Sequence, residues 1–371
     1  MLHLQAKGII NFISIYEPYV RKADYTKADL VIYCRNTEPG YKTILNDLIQ
    51  NNIPYVYDLD DDLFEIPLSY GLGQYHRAPQ RLAMLVEYLE NANCVRLYSK
   101  PLLERVLPLN PNAVLVSPSI NWPLVNSVRP KLHPNQIYLV YATSRQEDPL
   151  TEVFIPALEL ILKKHREKVL MTFWGNCPPI FRNWSNVRRI KFTADYNRFL
   201  RDFSREGFDI GLAPLLNDSF YLSKTNNKFR EYAACGIAGI YSDVPVYSEV
   251  NPNTTGLLVA NDTQSWFDAL ESLIVNPEVR SRIGSDAKQY IQQKYPLESF
   301  YSTWEEQINN APYSPRSAPR ANNTIHSPYN PGKVNIISRL RNKSISKILL
   351  TLINQVKNIW WMLKINMFKK I

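Results

Sequence analysis

Cysteine is scarce in this 371-residue chain: four residues, Cys34, Cys94, Cys177 and Cys235, with no C-x-x-C pair among them. Each lies in or beside an apolar stretch, which excludes a disulfide framework and reads as buried thiols in a reducing compartment. Histidine is equally thin, five residues without an H-x-x-x-H spacing, so no zinc site is expected. The N-terminal "MLHLQAKGIINFISIY" has one lysine and no small-residue cleavage site. It is expected to form a first β-strand rather than a signal peptide, with the body of the protein in the cytoplasm.

Acidic residues are missing from one region altogether. After Glu306 there is no Asp or Glu, while eleven Lys and Arg follow. The formal charge of +9 therefore belongs to the C-terminal segment, and residues 1–306 carry about −2. This distribution argues against a nucleic-acid-binding body. Long apolar runs are also absent from the tail, whose longest charge-free stretch, Ile348 to Val356, is nine residues. A spanning helix needs ~20 apolar residues. Ile345, Ile348, Leu349, Leu352, Val356, Ile359, Trp360 and Leu363 recur at helical spacing between lysines, so residues 334–371 are expected to form a basic amphipathic helix. Its expected place is an anionic membrane surface, with the protein peripheral on the inner face. Packing on the body or a partner is the alternative. The five-proline stretch "APYSPRSAPRANNTIHSPYNPG" makes 311–333 a linker.

What is present is β-α alternation, twice over. From "ADLVIYCR" to "AVLVSPS", and again from "QIYLVYATS" to "VRSRIGSDAKQYIQQKY", strands rich in Val, Ile and Tyr alternate with helical patterns. The two series are joined by "NWPLVNSVRPKLHP". The fold class expected is α/β, with two doubly wound Rossmann-like domains, 1–125 and 135–310, facing across a cleft. Ligands bind such sheets at the carboxyl ends of the strands, so the cleft is the default site.

The most informative stretch is "FDIGLAPLLNDSFYLSKTNNKFREYAACGIAGIYSDVPVY", residues 208–247. It reads as strand, loop, short helix starting near Thr225 or Asn226, then a turn at Gly236 and another strand. A helix N-terminus with Lys224 just before it and Lys228 inside it suits a phosphate, and Glu231, one turn deeper, suits ribose hydroxyls. An exposed helix face with i,i+3 pairing is the plainer alternative.

This stretch resembles the donor-binding segment of GT-B glycosyltransferases of the glycogen-synthase-like superfamily, in its bacterial surface-polysaccharide branch. "EYAACG" matches the family's Glu-Ala-x-Ala-x-Gly turn, and Glu231 falls on the second glutamate of its E-x7-E motif. Ser223 stands where the first glutamate would be, within an "S-K-x-x-x-K-F-x-E-Y-A-A" pattern similar to that branch. "DIGLAPL", "TGLLV" and "YDLDDDLFEIP" extend the resemblance over about residues 28 to 310.

The resemblance implies a retaining, metal-independent glycosyltransferase that needs no cofactor beyond its nucleotide-sugar co-substrate and acts on a glycan or lipid-linked acceptor, without nucleic acid. It implies donor binding by Ser223, Lys224, Lys228 and Glu231, by Thr143, Ser144 and Arg145 in place of a glycine-rich turn, and by Gly175 at a strand end. Asn217, Asp218, Ser219 and Phe220 are expected in the loop facing the sugar. Ser223 and the missing glycine-rich turn support the rival reading, a catalytically lapsed scaffold of the same fold.

"YVYDLDDDLFEIP" places Asp58, Asp60, Asp61 and Asp62 after an apolar run. Alternation along an extended strand predicts that Asp60 and Asp62 share a face with Asp58 and that Asp61 points away. Asp60 and Asp62 are candidates for acceptor binding or general base catalysis, with capping and hinge bonding as the alternative and metal binding disfavoured. Lys228 and Glu231 complete the catalytic set. His76, Arg77 and Arg35 are weaker candidates at the same cleft, His76 being read first as a solvated loop histidine.

Overall fold

The computed structural model describes residues 1–125, 129–131, 133, 135–143 and 150–311. The expected helix at 334–371, the linker beyond Ala311, Ser144 and Arg145 lie outside the described residues.

In the first half, β1 (Val31–Cys34), β2 (Tyr55–Leu59), β3 (Cys94–Leu97) and β4 (Ala113–Leu115) form a parallel sheet in that order. Helices α1 (Leu2–Ala6), α2 (Lys22–Tyr25), α3 (Lys42–Gln50), α4 (Gly71–His76), α5 (Pro79–Asn91) and α6 (Lys100–Val106) precede or connect the strands. The period of two along β2 sends Tyr55, Tyr57 and Leu59 into a core with Leu45 and Leu48 of α3 and Leu85, Tyr88 and Leu89 of α5. Val56 faces the other side and packs with Leu4 and Trp304. The tyrosines are tolerated in this core because their hydroxyls find carbonyls: Tyr55 donates to Tyr88 and Tyr57 to Asn36, both at 2.7 Å.

The expected strand at "GIINFISIY" does not form. Ile9, Ile13, Ile15 and Tyr16 are exposed, and only Ile10 joins the outer apolar cluster. Local β propensity is not enough without a neighbouring edge to pair with, and β1 pairs only with β2.

The second half holds β5 (Ile137–Thr143), β6 (Val169–Gly175), β7 (Val187–Ile190), β8 (Ile210–Ala213), β9 (Ala238–Ser242) and β10 (Leu257–Val259), all parallel. Their order is β10-β9-β8-β5-β6-β7. The chain winds outward from β5 to β7, returns to β8 and winds the other way, so the switch point lies between β5 and β8. Helices α7 (Leu150–Lys164) and α11 (Thr263–Val275) cover one face through Phe154, Leu158, Trp266 and Leu270. Helices α8 (Tyr196–Arg205), α10 (Asn227–Ala234) and α12 (Pro277–Lys294) cover the other, and α9 (Ser219–Leu222) precedes α10. That second core is continuous with the α3 and α5 core of the first half.

The final described helix, α13 (Leu297–Asn310), returns to the first half. Trp304 packs on the outer face of the first sheet, with the buried Arg96 guanidinium 3.4 Å from its ring centroid. The chain thus crosses between the halves before β5 and again at Tyr295, and the crossings are bonded to each other. The Tyr295 carbonyl accepts from Ser119 Oγ at 2.8 Å and from Trp122 Nε1 at 3.3 Å.

Candidate active site

Strands β5 and β8 pair only as far as Val140 and Gly211 and then separate. The Tyr232 hydroxyl fills the opening: it donates to the Leu212 carbonyl at 2.8 Å and takes a hydrogen bond from the Ala142 backbone. One buried side chain therefore fixes α10 over the switch point. The C-terminal end of α10 is fixed as firmly. Gly236 adopts φ +70°, Ile237 N–H reaches the Tyr232 carbonyl and Gly236 N–H the Ala233 carbonyl, both at 2.9 Å. These are the two bonds of a Schellman close.

The first turn of α10 is knitted by side chains. Arg230, 3% exposed, donates to Asn226 Oδ1 at 2.6 Å and also to Asn227, while Asn226 Nδ2 donates to Glu249 at 3.0 Å. The Tyr295 hydroxyl also bonds Glu249. Lys228 Nζ lies 2.7 Å from Glu231 Oε2, and Glu231 is nearly closed off from solvent. Desolvation of its hydroxyl, then the Glu231 carboxylate, raises the pKa of the neighbouring half-exposed Tyr196.

At the ends of β5 and β6, Thr143 and Gly175 are register partners. Gly175 has φ +106°, and a Cβ there would stand 1.9 Å from the Thr143 carbonyl oxygen. Contact between neighbouring backbones dictates this glycine. Of the loop residues before α10, Asp218 caps α9 by accepting from Tyr221 N–H at 2.9 Å and Phe220 is buried, while Asn217 and Ser219 are exposed.

The aspartates do not alternate as a strand. Hydrogen-bonded pairing ends at Leu59, and the turn that follows sends each carboxylate to a different partner. Asp58 accepts from Tyr98 at 2.8 Å and Arg96 Nε at 3.2 Å. Both Asp60 oxygens are held by Arg35, a residue with φ +57° at the end of β1. Asp61 Oδ1 pairs with Lys224 Nζ of the second half at 2.7 Å, and its Oδ2 stands 3.6 Å from Arg35. Asp62, 1% exposed, is 3.0 Å from Arg105 Nε and accepts from Phe64 N–H at 3.1 Å. It does not open to the cleft. Burial raises its pKa, against the Arg105 charge that lowers it.

Ser223 belongs to this join between the halves. Its hydroxyl donates to the Ser219 carbonyl at 2.9 Å with Asp62 Oδ2 at 3.3 Å, and its carbonyl accepts from Ser99 at 2.6 Å. The hydroxyls of Tyr70 and Tyr221 meet at 2.5 Å. His76 ends α4 half-buried, with Nδ1 closed off from solvent and without a hydrogen-bond partner. Burial, then the charges of Arg81 and Arg35, pushes its pKa down to about 4, against the opposing Asp61. It is a neutral imidazole at the cleft, not a solvated loop residue. Arg77 donates to the Ile66 carbonyl at 3.3 Å.

The cleft face therefore brings together Arg35, Asp60, Asp61 and His76 with Lys224, and the Lys228–Glu231 pair lies on α10. Among the described residues no three His, Cys, Asp or Glu side chains group so as to hold a metal ion, and no helix is long and apolar enough to cross a membrane. A cavity of about 640 Å³ opens beside β6 and β7, lined by Trp174, Phe192, Thr193 and Arg198 among others, and excludes Lys224, Lys228 and Glu231. Tyr232, Arg105 and the Asn226–Arg230–Glu249 set escaped the sequence reading. Glu249 and Arg105 carry no local signal, but a tyrosine one residue after Glu231 in a helix that must reach a sheet was available.

No protein-family model matches the sequence, and no curated protein matches it. Solved structures do. Sucrose-phosphate synthase of Thermosynechococcus elongatus is 17% identical, with TM-score 0.58 over 78% of this chain and 75% of its own. HepE of Anabaena, solved in complex with UDP and glucose, is 14% identical, with TM-score 0.55 over 76% and 77%. A glycosyltransferase from Rickettsia africae ESF-5 is 14% identical, with TM-score 0.55 over 84% and 87%. At such identities the likeness establishes architecture: this chain has the GT-B fold of these glycosyltransferases.

Proposed function

We propose that this protein is a glycosyltransferase that moves a sugar from a nucleotide-sugar donor to an acceptor hydroxyl held by the first half. The observation that carries this is α10. Tyr232 anchors it over the switch point, Lys224 precedes it, and the Lys228–Glu231 pair, 2.7 Å apart, lies on it. Two ammonium groups and a helix N-terminus are the charge complement of a leaving diphosphate, and stabilising that charge is the main electrostatic demand of the reaction. That HepE was solved with UDP-glucose supports the donor class.

In the proposed reaction the anomeric C–O bond breaks toward the diphosphate, the acceptor oxygen bonds the anomeric carbon, and a phosphate oxygen takes the hydroxyl proton. Departure and attack share one sugar face, giving retention without a metal, as the sequence resemblance implies. Asp60, fully engaged by Arg35, is assigned to orienting that arginine at the acceptor side, and Asp62 to holding the halves together.

Thermal-shift titration with UDP-, GDP-, dTDP- and ADP-sugars, followed by donor hydrolysis assays, tests the proposal. Stabilisation by one nucleotide class and hydrolysis lost in Lys228→Ala and Glu231→Ala are expected; no stabilisation by any of them overturns it. Ser223 in the place of the motif glutamate favours the second reading, a non-catalytic binding protein, which predicts stabilisation without turnover.

A further inference from the structure

The lysine that precedes the donor-type helix already holds an anion. Lys224 comes from the second half and Asp61 from the first, and their charged atoms are 2.7 Å apart. Lys224 is largely enclosed, with 18% of its side chain exposed, and its ammonium sits 4.1 Å from the centroid of the Phe220 ring. Asp61 is no isolated surface carboxylate either, since Arg35 approaches its second oxygen at 3.6 Å. Arg35 is itself held in the left-handed region, at φ +57°, where a non-glycine residue is uncommon. Asp61 thus sits between a cation of each half, the electrostatic position of a doubly contacted phosphate.

We propose that Asp61 occupies the phosphate position of the donor site as an internal stand-in for the diphosphate, so that donor binding must displace it from Lys224. The inference rests on the glycosyltransferase reading and adds to it a competition between the chain's own carboxylate and its substrate. The consequence is quantitative. Apparent affinity falls by the fraction of molecules in which Lys224 is released from Asp61, so a pair formed about 80% of the time weakens donor binding about fivefold. Reciprocally, bound diphosphate displaces Asp61 from Lys224 while Arg35 stays on Asp60, which links donor occupancy to the state of the acceptor surface.

Isothermal titration calorimetry with UDP, GDP, dTDP and ADP on the full chain tests this, comparing the wild type with Asp61→Asn, Asp61→Glu and the double variant Asp61→Asn/Lys224→Met. Asp61 is partly exposed, so the Asn variant is expected to fold, and circular dichroism confirms it. The expected result is that Asp61→Asn binds the preferred nucleotide diphosphate about fivefold more tightly, that Asp61→Glu restores the weaker affinity, and that the double variant loses the gain. In turnover assays the Asn variant lowers donor KM by a similar factor without raising kcat. Binding by wild type and Asp61→Asn with equal affinity, or weaker binding by the variant, overturns the inference and leaves the enzyme reading standing. No nucleotide binding by any variant overturns both.

Discussion

His76 shows how burial sets the charge of one residue. Its pKa is depressed from 6.5 to about 4. Between those values the unfolded chain binds the proton that the folded chain refuses, so stability falls as pH drops through that window. The raised pKa values of Glu17, Asp58 and Asp62 act in the opposite sense as pH falls, which makes a difference measurement necessary. His76→Gln is expected to lose less stability than the wild type between pH 6.5 and pH 4, read from urea midpoints across that range. Parallel midpoint curves for the two proteins would show that the imidazole is not held neutral. The sequence put His76 in a loop able to reach the cleft but did not show its burial, because one of the charges it meets, Arg35, lies far from it in the chain. The placement of Lys224 before one helix and of Lys228 and Glu231 on it was legible because local spacing carries it, whereas Asp60, Asp61 and Asp62 were misaligned because the strand pattern was extended three residues past its last ladder bond.

Among the elements, α10 is where local signals and tertiary packing agree. The glycine close at Gly236 and the placement of the strands on either side follow from the sequence alone. The reason the helix stays at the switch point does not, since Tyr232 bridges backbones belonging to β5 and β8, which are far apart in the chain. Tyr232→Phe leaves the Ala142 N–H and Leu212 carbonyl buried without that partner, and it is expected to cost about 1–3 kcal/mol, measured by chemical denaturation. A larger fractional loss of nucleotide affinity than of affinity for unrelated ligands would accompany it, because the helix terminus moves. Unchanged stability would show that the strands close when the hydroxyl is removed. The missing N-terminal strand is the converse lesson: nine residues of β-prone sequence stay irregular because no edge receives them.

At the scale of the whole molecule, the halves are joined by more than their linker. Asp62 is buried between Arg105 of its own half and Ser223 of the other, with Glu65 3.1 Å from the same arginine. Arg105→Ala strands a buried carboxylate and is expected to destabilise the protein by about 3 kcal/mol. Asp62→Asn, which keeps a hydrogen-bonding group without the charge, is expected to cost less. Unfolding followed by tryptophan emission and by far-ultraviolet dichroism should coincide in the wild type and separate in Arg105→Ala as the halves uncouple. Coincident transitions in the variant would place the coupling elsewhere. Two parallel sheets were readable from repeated β-α alternation, but this join was not, because Asp62 and Ser223 lie on opposite sides of the sequence midpoint.

The bond between the two crossings has a mechanical consequence. With Ser119 and Trp122 fastened to one carbonyl at Tyr295, the halves share a pivot rather than two independent tethers. Such a joint permits swinging and resists sliding, so an opening of the cleft that keeps both bonds is a rotation about Tyr295. The indole of Trp122, bonded to that carbonyl, is a built-in optical gauge of the joint.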